Sequence, residues 1–370
     1  MGGAPRIIAV PPPRPSGWTH LYTPPTPAAA DPPLRSLLLL NPDTAATPPT
    51  RVTRFAVTGT SGFVGRHLVA YLLRQGHRIT CISRHGTALP GTEHRPVRDY
   101  LDVPALTQAM AGAEAVIHLA ARAHMLNDTA ASPEQAFREA NLDGALAVAR
   151  AARSAGVARL VLVSSIGVNG NATRGRAFTA ADRPEPAEPY AVSKWDGEQA
   201  VTRELADSPT GLVILRPTLV YGADCPGNFR LLLNLVHRLP IVPLGALTRR
   251  RSLIHVDNLC DALSLAALHP GALSRTFLLS DGQDLSVAEV ARILCRAFGK
   301  NPTRVVAVPE GLLRALAGLA GKGGAITKLA AELAVDSTEF RAVTGWRPPL
   351  APAEGLAQAA AGFAAARRTA

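Results

Sequence analysis

From residue 51 onward the hydrophobic pattern switches between two periods. Phe55, Ala56 and Val57 form a short continuous apolar run, which predicts a buried strand. After a glycine-rich stretch, apolar residues recur at Val64, Leu68, Tyr71 and Leu72, the spacing of one helix face. Gly76 closes that helix, and "RITCIS" at 78–83 predicts a second strand. Strand, turn, helix and strand make a βαβ unit, whose crossover is right-handed.

The alternation continues along the chain. "AVIHLAA" (115–121) predicts a strand, and 132–156 predicts a helix opened by Ser132-Pro133 and closed by Gly156. "ARLVLVSSIGV" (158–168) predicts a strand, 190–206 a helix, and "GLVILRP" (211–217) a strand stopped by Pro217. Such alternation predicts an α/β fold, a Rossmann-type doubly wound parallel sheet. Beyond 222 the pattern loosens, with helices expected near 228–238, 257–268, 286–299 and 309–320 and short strands at 252–256 and 276–279. The expected division is a Rossmann domain at 51–222 and, at 223–370, mainly a smaller α/β substrate lobe over the carboxyl edge of the sheet.

Residues 1–50 hold 13 of the 31 prolines and no apolar periodicity, so a disordered extension is expected there. No apolar run reaches the length of a membrane span, and a cytoplasmic protein without membrane insertion is expected. Cys81, Cys225, Cys260 and Cys295 lie far apart with no metal-ligand spacing, and read as small buried hydrophobes. The net charge of +11 would suit nucleic acid, but the arginines are scattered and only Arg249, Arg250 and Arg251 form a run. A basic cleft for an acidic small molecule, such as a nucleotide diphosphate, is the reading adopted, with no nucleic acid partner.

"TGTSGFVG" (58–65) places Gly59, Gly62 and Gly65 between the first strand and the first helix. In that context the glycines allow a tight turn, close approach of a pyrophosphate and close helix–strand packing, and the helix N-terminus faces the phosphates. A dinucleotide cofactor, NAD(P), is therefore expected. The second strand ends in Ser83-Arg84, and no acid follows until Glu93. A hydroxyl and an arginine suit a ribose 2′-phosphate better than a free 2′-hydroxyl, which inclines the expectation toward NADP(H).

Lysine occurs four times among 39 basic residues, and one copy stands in "YAVSK" (190–194). Tyr190 and Lys194 share one face of the expected helix. A phenol of pKa near 10 is a poor base at neutral pH, and a nearby ammonium would favour the phenolate. A lysine's compact charge suits that task and a ribose contact together, where a planar guanidinium does not. Ser164 and Ser165 end the strand that precedes this helix, where a hydroxyl can hold a substrate oxygen.

Taken in order, TGxxGFxG (58–65), HLAA (118–121), N-x-x-G (141–144), VSSxxVxG (163–170), YxxxK (190–194), RPxxVYG (216–222) and "RRSLIHVDNL" (250–259) resemble the extended short-chain dehydrogenase/reductase family, in its nucleotide-sugar epimerase/dehydratase branch. The resemblance spans roughly 52–350 and is similar to UDP-glucose 4-epimerase-like members. It implies that Gly59, Gly62 and Gly65, with Phe63 and Val64, hold the cofactor pyrophosphate. It implies that Asp99 and Tyr100, at the end of a third strand, lie beside the adenine, next to the ribose end to which the Ser83-Arg84 reading assigns Arg84. Leu119, Ala120 and Pro217 would line the nicotinamide side, and Asn141 would steady the central strands. Ser165, Tyr190 and Lys194 would be catalytic, while Arg251 and Asn228 would hold the substrate diphosphate. A homodimer is usual in the family.

The chain departs from the epimerase pattern at Gly167, Asn169 and Leu219, and lacks the acid after the second strand. Ile166 and Gly167 stand where dehydratases carry an acid pair, which disfavours dehydration. The expected function is C4 oxidoreduction of a nucleotide sugar, such as a UDP-hexose, as 4-epimerase or 4-ketoreductase in surface polysaccharide precursor synthesis. Two alternatives stay open. One is an NADPH-dependent reductase of a sterol- or flavonoid-like ketone, which has no diphosphate for Arg251 to hold. The other is a non-catalytic NAD(P)-sensing protein, a class that typically loses the Tyr or Lys kept here.

Overall fold

The computed structural model describes residues 51–84, 89–123, 132–319, 327 and 329–368, so the expected disorder of 1–50 lies outside the described residues. The strands in chain order are β1 (Arg54–Thr58), β2 (Arg78–Ser83), β3 (Glu93–Pro96), β4 (Ala115–His118), β5 (Arg159–Val163), β6 (Gly211–Pro217), β7 (Leu219–Tyr221), β8 (Arg250–Arg251), β9 (Leu253–His255), β10 (Arg275–Leu279) and β11 (Leu285–Ser286). Seven of them form one sheet in the order β10-β6-β5-β4-β1-β2-β3, every neighbouring pair parallel. The order reverses between β1 and β4, whose register pairs Thr58 with His118. At such a reversal the chain leaves adjacent strands in opposite directions, and a crevice opens beyond their carboxyl ends.

Helices cover both faces, which is why the central strands read as unbroken apolar runs. The helices are α1 (Phe63–Arg74), α2 (Val103–Met110), α3 (Pro133–Arg138), α4 (Gly144–Ser154), α5 (Pro189–Leu205), α6 (Asn228–Arg238), α7 (Val256–Leu268), α8 (Val287–Ala297), α9 (Glu310–Leu319), α10 (Thr338–Thr344) and α11 (Pro352–Arg368). Phe55 and Val57 point to one side, into a core with Leu68 and Leu72 of α1 and Leu259 and Leu263 of α7. Ala56 points to the other, with Leu106 of α2, Val148 of α4 and Val201 of α5. A separate core joins Phe229, Leu233 and Val236 of α6 to Leu294 of α8 and Leu356 and Phe363 of α11. All four cysteines are free and buried.

Several expectations are corrected. The strand expected to reach residue 168 ends at Val163, because the Ser165 hydroxyl accepts from Gly167 N at 3.1 Å and bends the chain into a 3-10 turn over Ile166–Val168. The continuous helix expected at 132–156 is broken by a π-helical turn over Glu139–Asp143, between α3 and α4. The third strand stops at Pro96, short of Asp99 and Tyr100. β10, from the segment expected to form the smaller lobe, completes the large sheet beside β6, and α7 from the same segment covers it. Helices α10 and α11 were not expected: the first is short, and the second is so rich in alanine that its buried stripe contrasts little with the rest.

Candidate active site

The crevice begins at the turn after β1. Gly59 has φ +73°, and a Cβ there would lie 2.6 Å from Ala120 N, because the paired strands β1 and β4 run out side by side. A Cβ on Gly65 would lie 2.2 Å from Gly59 O, so only glycine lets α1 sit this close to the turn. Gly62 caps α1 with no side-chain hydrogen bond, leaving first-turn N–H groups for a ligand. These features fit a dinucleotide pyrophosphate. The side chains of Phe63 and Val64 pack against the core, so what those two residues can offer a phosphate is backbone N–H.

At the end of β2, Ser83 Oγ and His94 Nε2 are hydrogen-bonded at 2.9 Å, and the Arg84 guanidinium lies over the Tyr100 ring, 5.8 Å from its centroid. The Tyr100 hydroxyl donates to Ile82 O at 2.9 Å and accepts from Gly59 N at 3.4 Å, which ties it to the glycine turn. Asp99 is exposed, and its carboxylate accepts from Leu101 N at 3.1 Å within its own turn. Under the crevice, Thr58 Oγ1 accepts from Ala120 N at 3.2 Å and shares a 2.8 Å hydrogen bond with His118 Nδ1. Burial, with a contribution from the Lys194 charge, lowers the pKa of His118 to about 3 and keeps it neutral. This Thr58–His118 pair was not singled out in the sequence; their register follows only from strand pairing.

Ser165, Tyr190 and Lys194 come together at the mouth of β5. Lys194 Nζ donates to Val163 O at 2.7 Å. Burial lowers its pKa to about 8, with Glu198 acting in the opposite direction. The Tyr190 ring meets Phe137 edge-on at 6.1 Å. Burial raises the Tyr190 pKa, and the Ser165 hydroxyl beside the phenol opposes the rise. The expected lowering by the lysine is therefore corrected: Lys194 is turned to a carbonyl, and desolvation of the phenol dominates. Among the described residues the buried Ser164 hydroxyl finds no hydrogen-bond partner.

Two networks fix the elements that carry this triad. The Asn141 amide accepts from Arg122 N at 2.9 Å and donates to Arg122 O and Ser193 Oγ, both at 3.0 Å, and Ser193 donates to Tyr190 O at 2.8 Å. Asn141 thus ties the exit of β4 to α5, and the π-helical turn that carries it packs on Gly197, where a Cβ would lie 2.4 Å from Asn141 O. Across the crevice wall, Arg216 of β6 pairs with Glu198 of α5 and donates to Asn169 Oδ1 at 2.9 Å. Asn169 in turn donates to Thr179 O at 3.1 Å. This buried pair was also missed. Its one trace in the sequence is a glutamate four residues after Lys194, on the same helix face.

The remaining candidates lie on separate elements. Pro217 ends β6 and is buried. Asn228 is the exposed first residue of α6. Arg251, on β8, donates to Ala331 O, and burial lowers its pKa. The structure places it on a strand whose backbone also bridges Leu333. Among the described residues no group of His, Cys, Asp and Glu could hold a metal ion, and no helix is long and apolar enough to cross a membrane.

Residues 55–278 match the model of the NAD dependent epimerase/dehydratase family. A UDP-glucose 4-epimerase of Vibrio cholerae is 35% identical over 83% of this chain and 94% of its own length. A ceramide reductase of Caulobacter vibrioides is 31% identical over 81% of this chain and 88% of its own. Among solved structures, the Bordetella bronchiseptica enzyme WbmG in complex with NAD and UDP superimposes with a TM-score of 0.66 at 19% identity, covering 86% of this chain and 96% of the other.

Proposed function

This chain belongs to the NAD-dependent epimerase/dehydratase family, and within it we propose C4 oxidoreduction of a nucleotide sugar such as a UDP-hexose, as 4-epimerase or 4-ketoreductase. The observation that carries the reading is the meeting of Ser165, Tyr190 and Lys194 beyond the carboxyl end of β5, where Lys194 donates to the Val163 carbonyl and the Ser165 hydroxyl acts on the Tyr190 phenol. The 35% identity to the Vibrio cholerae epimerase over nearly its whole length supports the substrate class.

A bound nicotinamide dinucleotide would supply hydride exchange with the sugar carbon. Gly59, Gly62 and Gly65, with the N–H groups of Phe63 and Val64, hold its pyrophosphate. Tyr100 stands at the adenine end, and Leu119, Ala120 and Pro217 stand at the nicotinamide end. The Arg84 guanidinium over Tyr100, where the second strand ends, supports a ribose 2′-phosphate and so NADP(H) over NAD. Ser165 holds the reacting sugar oxygen, and Tyr190 gives or takes its proton. Lys194, one helical turn from Tyr190 and anchored on the Val163 carbonyl, contributes a charged donor for the cofactor ribose. Arg251 and Asn228 hold the diphosphate.

The test is to denature the purified protein, chromatograph any released cofactor, and assay UDP-glucose epimerisation and reduction of UDP-4-keto sugars. Protein that arrives empty, prefers NADPH and reduces a UDP-4-keto sugar is the ketoreductase form of the reading. Tightly held NAD with epimerisation is the other form, and would remove the role given to Arg84. Failure of both reactions would overturn the substrate class. A second reading, reduction of a ketone without a nucleotide, draws on the 31% identity to the ceramide reductase and predicts that uridine nucleotides do not bind.

A further inference from the structure

Two stretches of this chain carry cations without carboxylates. Residues 225–256 contain five arginines and no carboxylate, and residues 290–309 contain three arginines, one lysine and no carboxylate. The fold joins the two stretches. Val242 bridges Val305, Val242 N donates to Arg304 O at 2.8 Å, and Val306 N donates to Val242 O at 3.0 Å. Arg304 also donates to the carbonyls of Leu239 and Pro240, and Lys300 to that of His237.

The same surface is unusually apolar. Val242 and Val305 are buried, so alternation along the two segments turns Ile241 and Val306 outward, and they are 59% and 36% exposed. Leu239 is 39% exposed beside them. On α6 the inner face is Phe229, Leu233 and Val236, which leaves Arg230, Leu231 and Arg238 on the outer one, with Leu231 48% exposed. Exposed aliphatic side chains interleaved with Arg230 and Arg238, for which the described residues offer no ion-pair partner, form an amphipathic, cationic surface.

We propose that this face of the C-terminal lobe, formed by α6 and the 239–241 and 304–306 segments, docks peripherally on an anionic lipid bilayer. The arginines meet lipid phosphates while Leu231, Leu239, Ile241 and Val306 enter the headgroup boundary. Charge complementarity selects this occupant. A second copy would set one carboxylate-free cationic face against another. A nucleic acid would leave the aliphatics without partners, since none of these exposed side chains is an aromatic on which bases stack. The proposal goes beyond the reaction proposed above and does not depend on it.

The test uses the full chain in a flotation assay with phosphatidylcholine vesicles, with and without phosphatidylglycerol. Binding is expected only with the anionic lipid. The triple variant Arg230→Glu, Arg238→Glu, Ile241→Ser should weaken it at least roughly tenfold, since each cation near such a surface is worth about fivefold. These side chains are exposed, so an unchanged thermal midpoint is expected and checks folding. A charge-matched control, Arg78→Glu with Arg98→Glu, alters exposed arginines at the β2–β3 side of the sheet and should bind as the parent does. Equal loss in both variants, or no loss in the triple variant, would overturn the proposal. So would absence of binding to the anionic vesicles, and a fluorescent single-stranded oligonucleotide bound by the parent and released by the triple variant would then assign the face to nucleic acid.

Discussion

Unpairing the buried Glu198–Arg216 ion pair should be costly, and removing it whole should not. Arg216 Nε lies 2.9 Å from Glu198 Oε1 and Nη2 lies 2.6 Å from Oε2, while Nη1 reaches Asn169. The side chains are 4% and 1% exposed, so no water can replace a lost partner. Glu198→Leu or Arg216→Met alone leaves one charge unpaired in a poor dielectric, at a cost of about 3–5 kcal/mol. Against a total stability of about 5–15 kcal/mol, either variant approaches the limit of folding. Replacing both, Glu198→Leu with Arg216→Met, leaves no stranded charge and is expected to be more stable than either single variant. Turnover should nevertheless stay low in the double variant, because Asn169, which closes the 3-10 turn begun at Ser165, has lost its tie to β6. Equilibrium urea unfolding of the four proteins reads the stability, followed by tryptophan emission from Trp195, whose ring faces Arg216. Single variants that cost less than about 1 kcal/mol, or a double variant that costs the sum of the two, would refute this account of the pair.

Four further outcomes are expected. Tyr190→Phe should lower turnover by about 10²–10⁴-fold while leaving cofactor affinity, read by NADPH fluorescence, near that of the parent. Gly65→Ala should weaken NADPH binding roughly tenfold or more, because its Cβ would meet the Gly59 carbonyl at 2.2 Å and neither backbone can yield cheaply. Activity should fall as pH rises through about 8, where Lys194 loses its proton, and a profile flat to pH 10 would remove the ammonium from the mechanism. His67 lies between Asp224 and Asp257, at 3.0 and 3.4 Å. Burial works to lower its pKa, but the two carboxylates outweigh it and raise it to about 9. A histidine raised on folding stabilises fully below its unfolded pKa near 6.5 and loses that contribution as pH rises through 9. Lys194 has the opposite sign, so the readout is the difference in unfolding free energy between the parent and His67→Gln, which should shrink by roughly 2–3 kcal/mol from pH 6 to pH 10.

The sequence by itself determined the parts of this protein that depend on near neighbours in the chain. Buried strands and amphipathic helices are written in periods of two and 3.6, so β1, α1, β2, α5 and β6 were legible to within a few residues. Gly59 and Gly65 were legible because a helix that must approach a strand closely leaves room for no Cβ. Tyr190 and Lys194 were legible because one turn of helix separates them. Only the tertiary structure decided what those residues touch. The lysine reaches the Val163 carbonyl, and the phenol is raised by burial that no local spacing encodes. Thr58 with His118, Asn141 with Ser193, and Glu198 with Arg216 and Asn169 each join segments far apart in the chain, through strand order and helix packing. The placement of β10 in the large sheet is likewise a matter of which edge was free to pair. Lys300 and Arg304 came beside Arg238 because the fold set the 239–242 segment against 304–306. A chain's periodicity records which way each side chain points; which distant side chain waits there is fixed only when the layers close on one another.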